Sequence, residues 1–239
     1  MEENNQNNQS NVNAEDLKKE AKETVNQVKD SFKNVDMKQE TEKAKNYFSR
    51  FLKEPIKVIG EIAHDKANAF LKTAIVLLVV WILASFVAAV LSIVSSMFSL
   101  GLSYFFSTFF TSIFGKIWSV IKSLFEPILI VAILSGITFL MNSKSKKSFL
   151  TTTSTLIAAF IPRVLAEIVS IITAITYRAS TITSPINGLL GLLSTVFVFF
   201  AIKELNDEKE NDSALKKFLM VEGIYYVVKF VLSFLTIYI

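Results

Sequence analysis

The order of polar and apolar positions divides the chain into two regimes, a polar N-terminal stretch and a series of long apolar runs separated by short polar loops. Residues 1–13 (MEENNQNNQSNVN) are an Asn/Gln-rich tail of low complexity, a composition that predicts disorder. Residues 14–46 contain no Pro or Gly and are rich in Glu, Lys and Ala. Within them Leu17, Ala21, Thr24, Val28, Phe32 and Val35 recur at spacings of three or four, giving a polar helical arm with a thin apolar stripe. Such an arm is either a solvated helix or a docking helix for a partner. Over 47–72 the stripe sharpens into a basic amphipathic juxtamembrane helix. Tyr47, Phe48, Phe51 and Leu52 cluster, Pro55 can occupy a first helical turn, and Ile56, Ile59, Ile62, Ala63 and Phe70 follow on one face. An apolar stripe beside a lysine-rich face suits a helix lying in the membrane interface, or one packed on neighbouring spans.

From residue 73 to 239 the apolar runs approach the ~20 residues that a bilayer-crossing helix needs. The expected spans are 73–96, 124–141, 152–176, 186–202 and 218–238. The fold class expected is therefore all-α: a polytopic helical membrane bundle of five transmembrane helices with an N-terminal cytoplasmic amphipathic helical segment. In the first run, Ala84, Ser85, Ala88, Ala89 and Ser92 put small residues near four-residue spacing, which lets a neighbouring helix approach closely.

Residues 97–123 are dense in Phe, carry Tyr104 and Trp118, and are interrupted by Gly101 and Gly115. They read either as a further span or as an aromatic outer segment, and charge decides between the two. Lysines concentrate on the cytoplasmic side of membrane proteins. Lys144, Lys146 and Lys147 lie between the second and third runs, and 203–217 (KELNDEKENDSALKK) precedes the last. Treating 97–123 as a non-crossing interfacial or re-entrant segment puts these loops and the basic N-terminal flank on one side. The expected topology is multi-pass in the cell (plasma) membrane, N-terminus cytoplasmic and C-terminus outside.

Composition narrows the chemistry. There is no cysteine and a single histidine, His64, which excludes cysteine-based metal sites, disulfides and thiol catalysis. No cofactor or metal is expected. His64 has no companion ligand in sequence and reads as a polar-face residue. The Walker, GxSxG, HExxH and dinucleotide fingerprints are absent, so the chain is expected not to be an enzyme. The net charge of +4 gathers beside the apolar runs and points to anionic lipid headgroups rather than nucleic acid. The candidate lipid contacts are Lys53, Lys57, Lys66 and Lys72 in the juxtamembrane helix, with Lys144, Lys146 and Lys147 in the loop. A composition heavy in Lys, Asn, Ile and Phe suggests an AT-rich bacterial genome.

Four charged residues fall inside expected spans: Arg163 and Glu167 in the third, Glu222 and Lys229 in the fifth. Each costs ~2.5–3.5 kcal/mol on insertion scales and needs a partner or water. Arg163 and Glu167 share a helical face at i, i+4. Glu167 is expected to pair with Arg163 in its own helix and with Lys229 across helices. That polar patch is either an ionic clasp or a site for an ion, a headgroup or a partner helix. Pro162 predicts a kink in the third span, and Glu126–Pro127 reads as the start of the second. The Ser/Thr run from Ser148 to Thr155 predicts hydroxyls bonding back to preceding carbonyls.

Three stretches carry a resemblance: FLKEPIKVI at 51–59, PILIVAILSGITFL at 127–140 and AAFIPRVL at 158–165. With the charged loop at 203–217, their order resembles the Yip-domain family, five-span membrane proteins named for interaction with Ypt/Rab GTPases. The resemblance covers roughly residues 47–239. The acidic DLYGP-type motif of eukaryotic members is absent, and 97–123 is longer than the family's pattern. What the resemblance implies is the fold.

Two functions are therefore expected in alternative. One is a non-catalytic membrane protein that organises or recruits protein partners, through residues 14–70, or lipid, with a homo-oligomer as a further possibility. The other is a small-solute or ion permease or channel component that uses the Arg163, Glu167, Lys229 and Glu222 patch.

Overall fold

The computed structural model describes residues 36–65, 68–100, 102–141, 147–175 and 179–237, with a few positions between 22 and 29. Residues 1–35 form a unit of their own, in which positions 22–23, 25–27 and 29 are helical. The expected tail over 1–13 lies outside the described residues, as does most of the arm up to 35.

The second unit, 36–239, is helical throughout its described elements, with no strand among the described residues. Its helices are α1 (Met37–Lys53), α2 (Pro55–Ala63), α3 (Leu71–Leu100), α4 (Leu102–Met141), α5 (Phe149–Ala159), α6 (Ile161–Ile175), α7 (Ala179–Leu205) and α8 (Asn211–Ile237). Among the described residues three stretches are long and apolar enough to cross a membrane: Leu71–Ser95, Gly115–Met141 and Thr183–Leu205. The pair α5 and α6, bent by 43°, makes a fourth if it is one broken span.

Helix α1 starts where Asp36 caps it, its carboxylate accepting from the backbone N–H of Lys38 and Gln39 at 3.1 and 3.2 Å. It ends at Glu54, because Pro55 disfavours helical geometry in the residue before it and then serves as the first residue of α2. Glu40, Ala44 and Phe51 line the buried face of α1 at helical spacing. Tyr47 meets Phe70 edge-on at 4.5 Å, and Phe51 meets Phe197 of α7 at 5.0 Å. The following helix buries Val58, Ile59, Ile62 and Ala63 against α5 and α7. The stripe foreseen over 47–72 thus lies against other helices, while Leu52, Lys53, Ile56 and Lys57 face outward. The Arg50 guanidinium clips the two helices together by donating to both Glu61 oxygens at 2.9 and 2.7 Å. That contact raises the arginine above its already high ordinary pKa, chiefly through the hydrogen bond.

The expectations for the second and third spans differ in outcome. Glu126–Pro127 does not start a helix: α4 runs unbroken for 40 residues with Pro127 inside it. At about 1.5 Å per residue it is ~60 Å long, twice a bilayer's hydrocarbon core. From residue 102 onward the aromatic stretch 97–123 continues this helix, with no turn between it and the second span. The physical reason is that proline's fixed φ is helix-compatible and its cost is one hydrogen bond plus a local clash. Nothing else from Gly115 to Met141 competes with an internally bonded backbone in apolar surroundings. In the third span the bend occurs where Pro162 predicts it, with Phe160 as the break and the proline in the first turn of α6. The Thr run bonds back as expected, Thr152, Thr153 and Thr155 donating to the carbonyls of Ser148, Phe149 and Thr151.

Hydrogen bonds gather the connecting loops at one end of the helices. Asn68, in left-handed geometry (φ 51°), accepts from Ser148 Oγ at 3.3 Å and Thr151 Oγ1 at 2.9 Å. Asp207, also at φ 51°, accepts from Lys147 Nζ at 3.2 Å and stands 3.1 Å from His64 Nε2. The loop before α3, the loop before α5 and the loop before α8 therefore meet. Asn68→Ala is expected to cost about 2 kcal/mol in thermal unfolding, since alanine lacks both acceptor bonds and tolerates positive φ poorly. Asn68→Gly should recover only the backbone share; an unchanged Tm in Asn68→Ala would mean that this junction is not what joins the loops.

Candidate functional site

Three helices leave a polar cavity of about 290 Å³ between them. The first, α3, gives it Trp81 and Ser85, then Ala88 and Ala89, whose small side chains leave the space open. From α4 come Ser123, Glu126 and Ile130, with Pro127 at the wall. Arg163, Glu167 and Ser170 project from α6 at i, i+4 and i+7, one face of that helix. Trp81, 3% exposed, closes one side against Phe160 at 5.3 Å, and the Arg163 guanidinium lies 5.8 Å from the Phe160 ring centre.

Arg163 also borders a second, smaller space of about 20 Å³, between α4, α6, α7 and α8. Glu222, Tyr225, Tyr226 and Ser194 line it, and the Ser194 hydroxyl is buried without a hydrogen-bond partner. The arginine thus stands between the cavity holding Glu126 and Glu167 and the space holding Glu222. Among the described residues no ion pair within 4.0 Å joins these groups. They are neighbours across a cavity rather than a closed clasp.

The foreseen patch is therefore assembled in part. Arg163, Glu167 and Glu222 border adjoining spaces, whereas Lys229 lines a third cleft, of about 450 Å³, between α4 and α8. No ion pair within 4.0 Å links Lys229 to Glu167 among the described residues. Glu126 is the group that reading the sequence misses. It borders both the polar cavity and the cleft, and its signal was a carboxylate at the edge of an apolar run, read as a helix start because of the proline that follows it.

The lysines proposed for lipid contact are spread differently. Lys53 is exposed in the last turn of α1, Lys57 is exposed and pairs with Glu54 at 3.0 Å, and Lys72 stands at the start of α3. Lys147 is mostly covered, with only 13% of its side chain exposed, because it pairs with Asp207. Lys66, Lys144 and Lys146 lie outside the described residues. His64 has companions after all: Nδ1 lies 2.8 Å from the Gly60 carbonyl, Nε2 faces Asp207, and Glu204 is 3.9 Å away. No group of three or more metal-ligating side chains occurs among the described residues.

Two carboxylates, one guanidinium and three hydroxyls around one cavity can hydrogen-bond a small polar guest from several sides. The carboxylates accept from a cation or ammonium group, while the guanidinium donates to an anionic oxygen. The class that fold and site define is an all-helical chain with three to four helices suited to crossing a bilayer and ionisable groups set between them. Neither protein-family models, nor curated proteins, nor solved structures match the chain.

Proposed function

We propose that the chain is a five-span protein of the bacterial cell membrane, Yip-like in organisation, that binds a small cationic or zwitterionic solute in the Glu126/Glu167/Arg163 cavity as a permease or channel component. It carries out no covalent chemistry on that solute. The observation that carries this reading is the cavity itself: about 290 Å³ bordered by three ionisable side chains from two helices, in a region where each charge is costly. The meeting of the loops before α3, α5 and α8 supports a fifth crossing by α8 and a cytoplasmic N-terminus. Lys147, foreseen on the cytoplasmic side, lies where these loops meet, which is in keeping with that topology.

The test is a thermal-unfolding screen of the detergent-solubilised full chain against amino acids, amines and monovalent cations. A ligand at about one hundred times its Kd stabilises by about 2.7 kcal/mol. The expected result is stabilisation by at least one solute, lost in Glu167→Gln and Glu126→Gln while each variant unfolds normally without solute. A flat response across the screen, or stabilisation that survives both substitutions, overturns the reading.

A second reading, a membrane protein that recruits partners, is favoured by one surface. Leu52 and Ile56 are exposed beside Lys53 and Lys57 where α1 meets α2. It predicts a stoichiometric crosslinked partner lost from Leu52→Asp/Ile56→Asp but kept when residues 1–35, a separate unit, are removed.

A further inference from the structure

The third cleft lies between α4 and α8 and shares only Glu126 and Ile130 with the solute site. Its walls are mainly apolar: Phe125, Leu129 and Ile133 on one side, Leu232 on the other. Phe125 and Leu129 are exposed, so this is an open furrow rather than an enclosed hole. Two cations stand in it, Lys122 from α4 and Lys229 from α8, both exposed. Lys122 lies 5.6 Å from the ring centre of Trp118, one turn away on its own helix.

The level of these lysines is informative. Counted at about 1.5 Å per residue, Lys122 is ~28 Å from the Met141 end of α4, and Lys229 ~27 Å from the Asn211 end of α8. Those two ends adjoin the loops that Lys147 and Asp207 bring together. A hydrocarbon core is ~30 Å thick, so Lys122 reaches the headgroup level of the opposite leaflet, whereas Lys229, ~16 Å beyond Phe218 where the apolar part of α8 begins, is rooted deeper in the same cleft and has a long stem to span the difference. Trp118 takes the place that tryptophan favours at a membrane–water boundary. The furrow then descends from that level into the hydrocarbon.

We propose that this furrow binds an anionic phospholipid, with its phosphate between Lys122 and Lys229 and an acyl chain along Phe125, Leu129 and Leu232. Charge complementarity fixes the occupant. Two ammonium groups on one cleft, Lys122 of them at headgroup depth, match a phosphodiester, and the apolar wall matches a tail, whereas a soluble anion would leave that wall uncovered. Glu126, one turn below Lys122, marks the polar limit of the headgroup and favours headgroups that place their phosphate above it. The site is distinct from the Lys53/Lys57 surface, which belongs to the other end of the chain's membrane region.

The protein carries its own reporter. Of its two tryptophans, Trp81 is buried in the bundle and Trp118 lines the furrow. The full chain, reconstituted in phosphatidylcholine vesicles, is titrated with brominated-tail phosphatidylglycerol or brominated-tail phosphatidylcholine, and tryptophan quenching is followed. The expected result is half-quenching of the Trp118 component at a roughly thirtyfold lower mole fraction of phosphatidylglycerol, the scale of preference that two lysines near a surface provide. Lys122→Gln/Lys229→Gln should abolish the preference, and Lys53→Gln/Lys57→Gln should leave it intact. Leu129→Trp, which fills the furrow and keeps both lysines, should also abolish it as read from bound lipid counted by native mass spectrometry. Equal quenching curves for the two lipids, or a preference unchanged in the Lys122/Lys229 variant, overturns the proposal.

Discussion

Arg163→Met is expected to destabilise the helical bundle by about 2–4 kcal/mol. The arginine borders both the cavity with Glu126 and Glu167 and the space with Glu222, so its removal leaves carboxylates from three helices without the cation set among them. Taking one member out of a charged group whose Arg163, Glu167 and Glu222 are half-buried costs more than the group's net worth, because the remaining charges lose their compensation. Arg163 keeps partial exposure, which holds the cost below that of a fully enclosed pair. Neutralising the other side should therefore recover much of the loss: Arg163→Met/Glu167→Gln/Glu222→Gln is expected to unfold closer to the parent than Arg163→Met alone. That non-additivity separates an electrostatic role from a packing role, since the loss of the side-chain stem against Phe160 is common to both variants. Thermal unfolding of the parent, Arg163→Met, Glu167→Gln/Glu222→Gln and the triple variant in one detergent measures it, and strict additivity would remove the electrostatic account.

Phe51→Ala should cost about 3–4 kcal/mol locally and release α1 and α2 from the helices beneath them. Phe51 is 2% exposed and meets Phe197 edge-on, and it is the largest side chain that α1 places against α7. Truncating a buried phenylalanine loses both its transfer free energy and the packing of the space it leaves. The neighbouring Leu52 is exposed, and Leu52→Ala is expected to change stability by less than about 0.5 kcal/mol. Limited proteolysis distinguishes the two outcomes. Cleavage between residues 54 and 70 should become fast in Phe51→Ala and stay slow in Leu52→Ala. Equal protection in both would show that the Arg50–Glu61 clip and α2 suffice to hold the segment.

Much of this architecture is legible in the residues because apolar length and lysine position are strong, additive signals. The runs expected from 73 and 186 fall in helices apolar enough to cross a membrane, the run expected over 218–238 lies in α8 but is not one of those candidate spans, and Pro162 marks the bend. What escapes the sequence is set by geometry across the chain. Glu126–Pro127 carries the signature of a helix start, and only the continuation of α4 upstream puts that carboxylate between helices. Lys229 and Glu167 face different cavities because α8 leans on α4 and α7, not on α6, a choice of neighbours that no local pattern encodes. His64 gains Asp207 from 143 residues away, through a loop whose turn depends on a single left-handed residue.

The burial of α2 has a consequence for biosynthesis. Val58, Ile59 and Ile62 are covered by α5 and α7, which leave the ribosome long after α2 does. At the ~5–20 residues per second of translation, the stretch from Ile62 to Leu205 takes roughly 7–30 s. For that interval the newly made helix has an apolar face, Lys57 and Glu61 outside it, and α1 but neither α5 nor α7 as a neighbour. Helix α2 thus waits with its apolar face uncovered and becomes part of the packed bundle only when α5 and α7 have followed it.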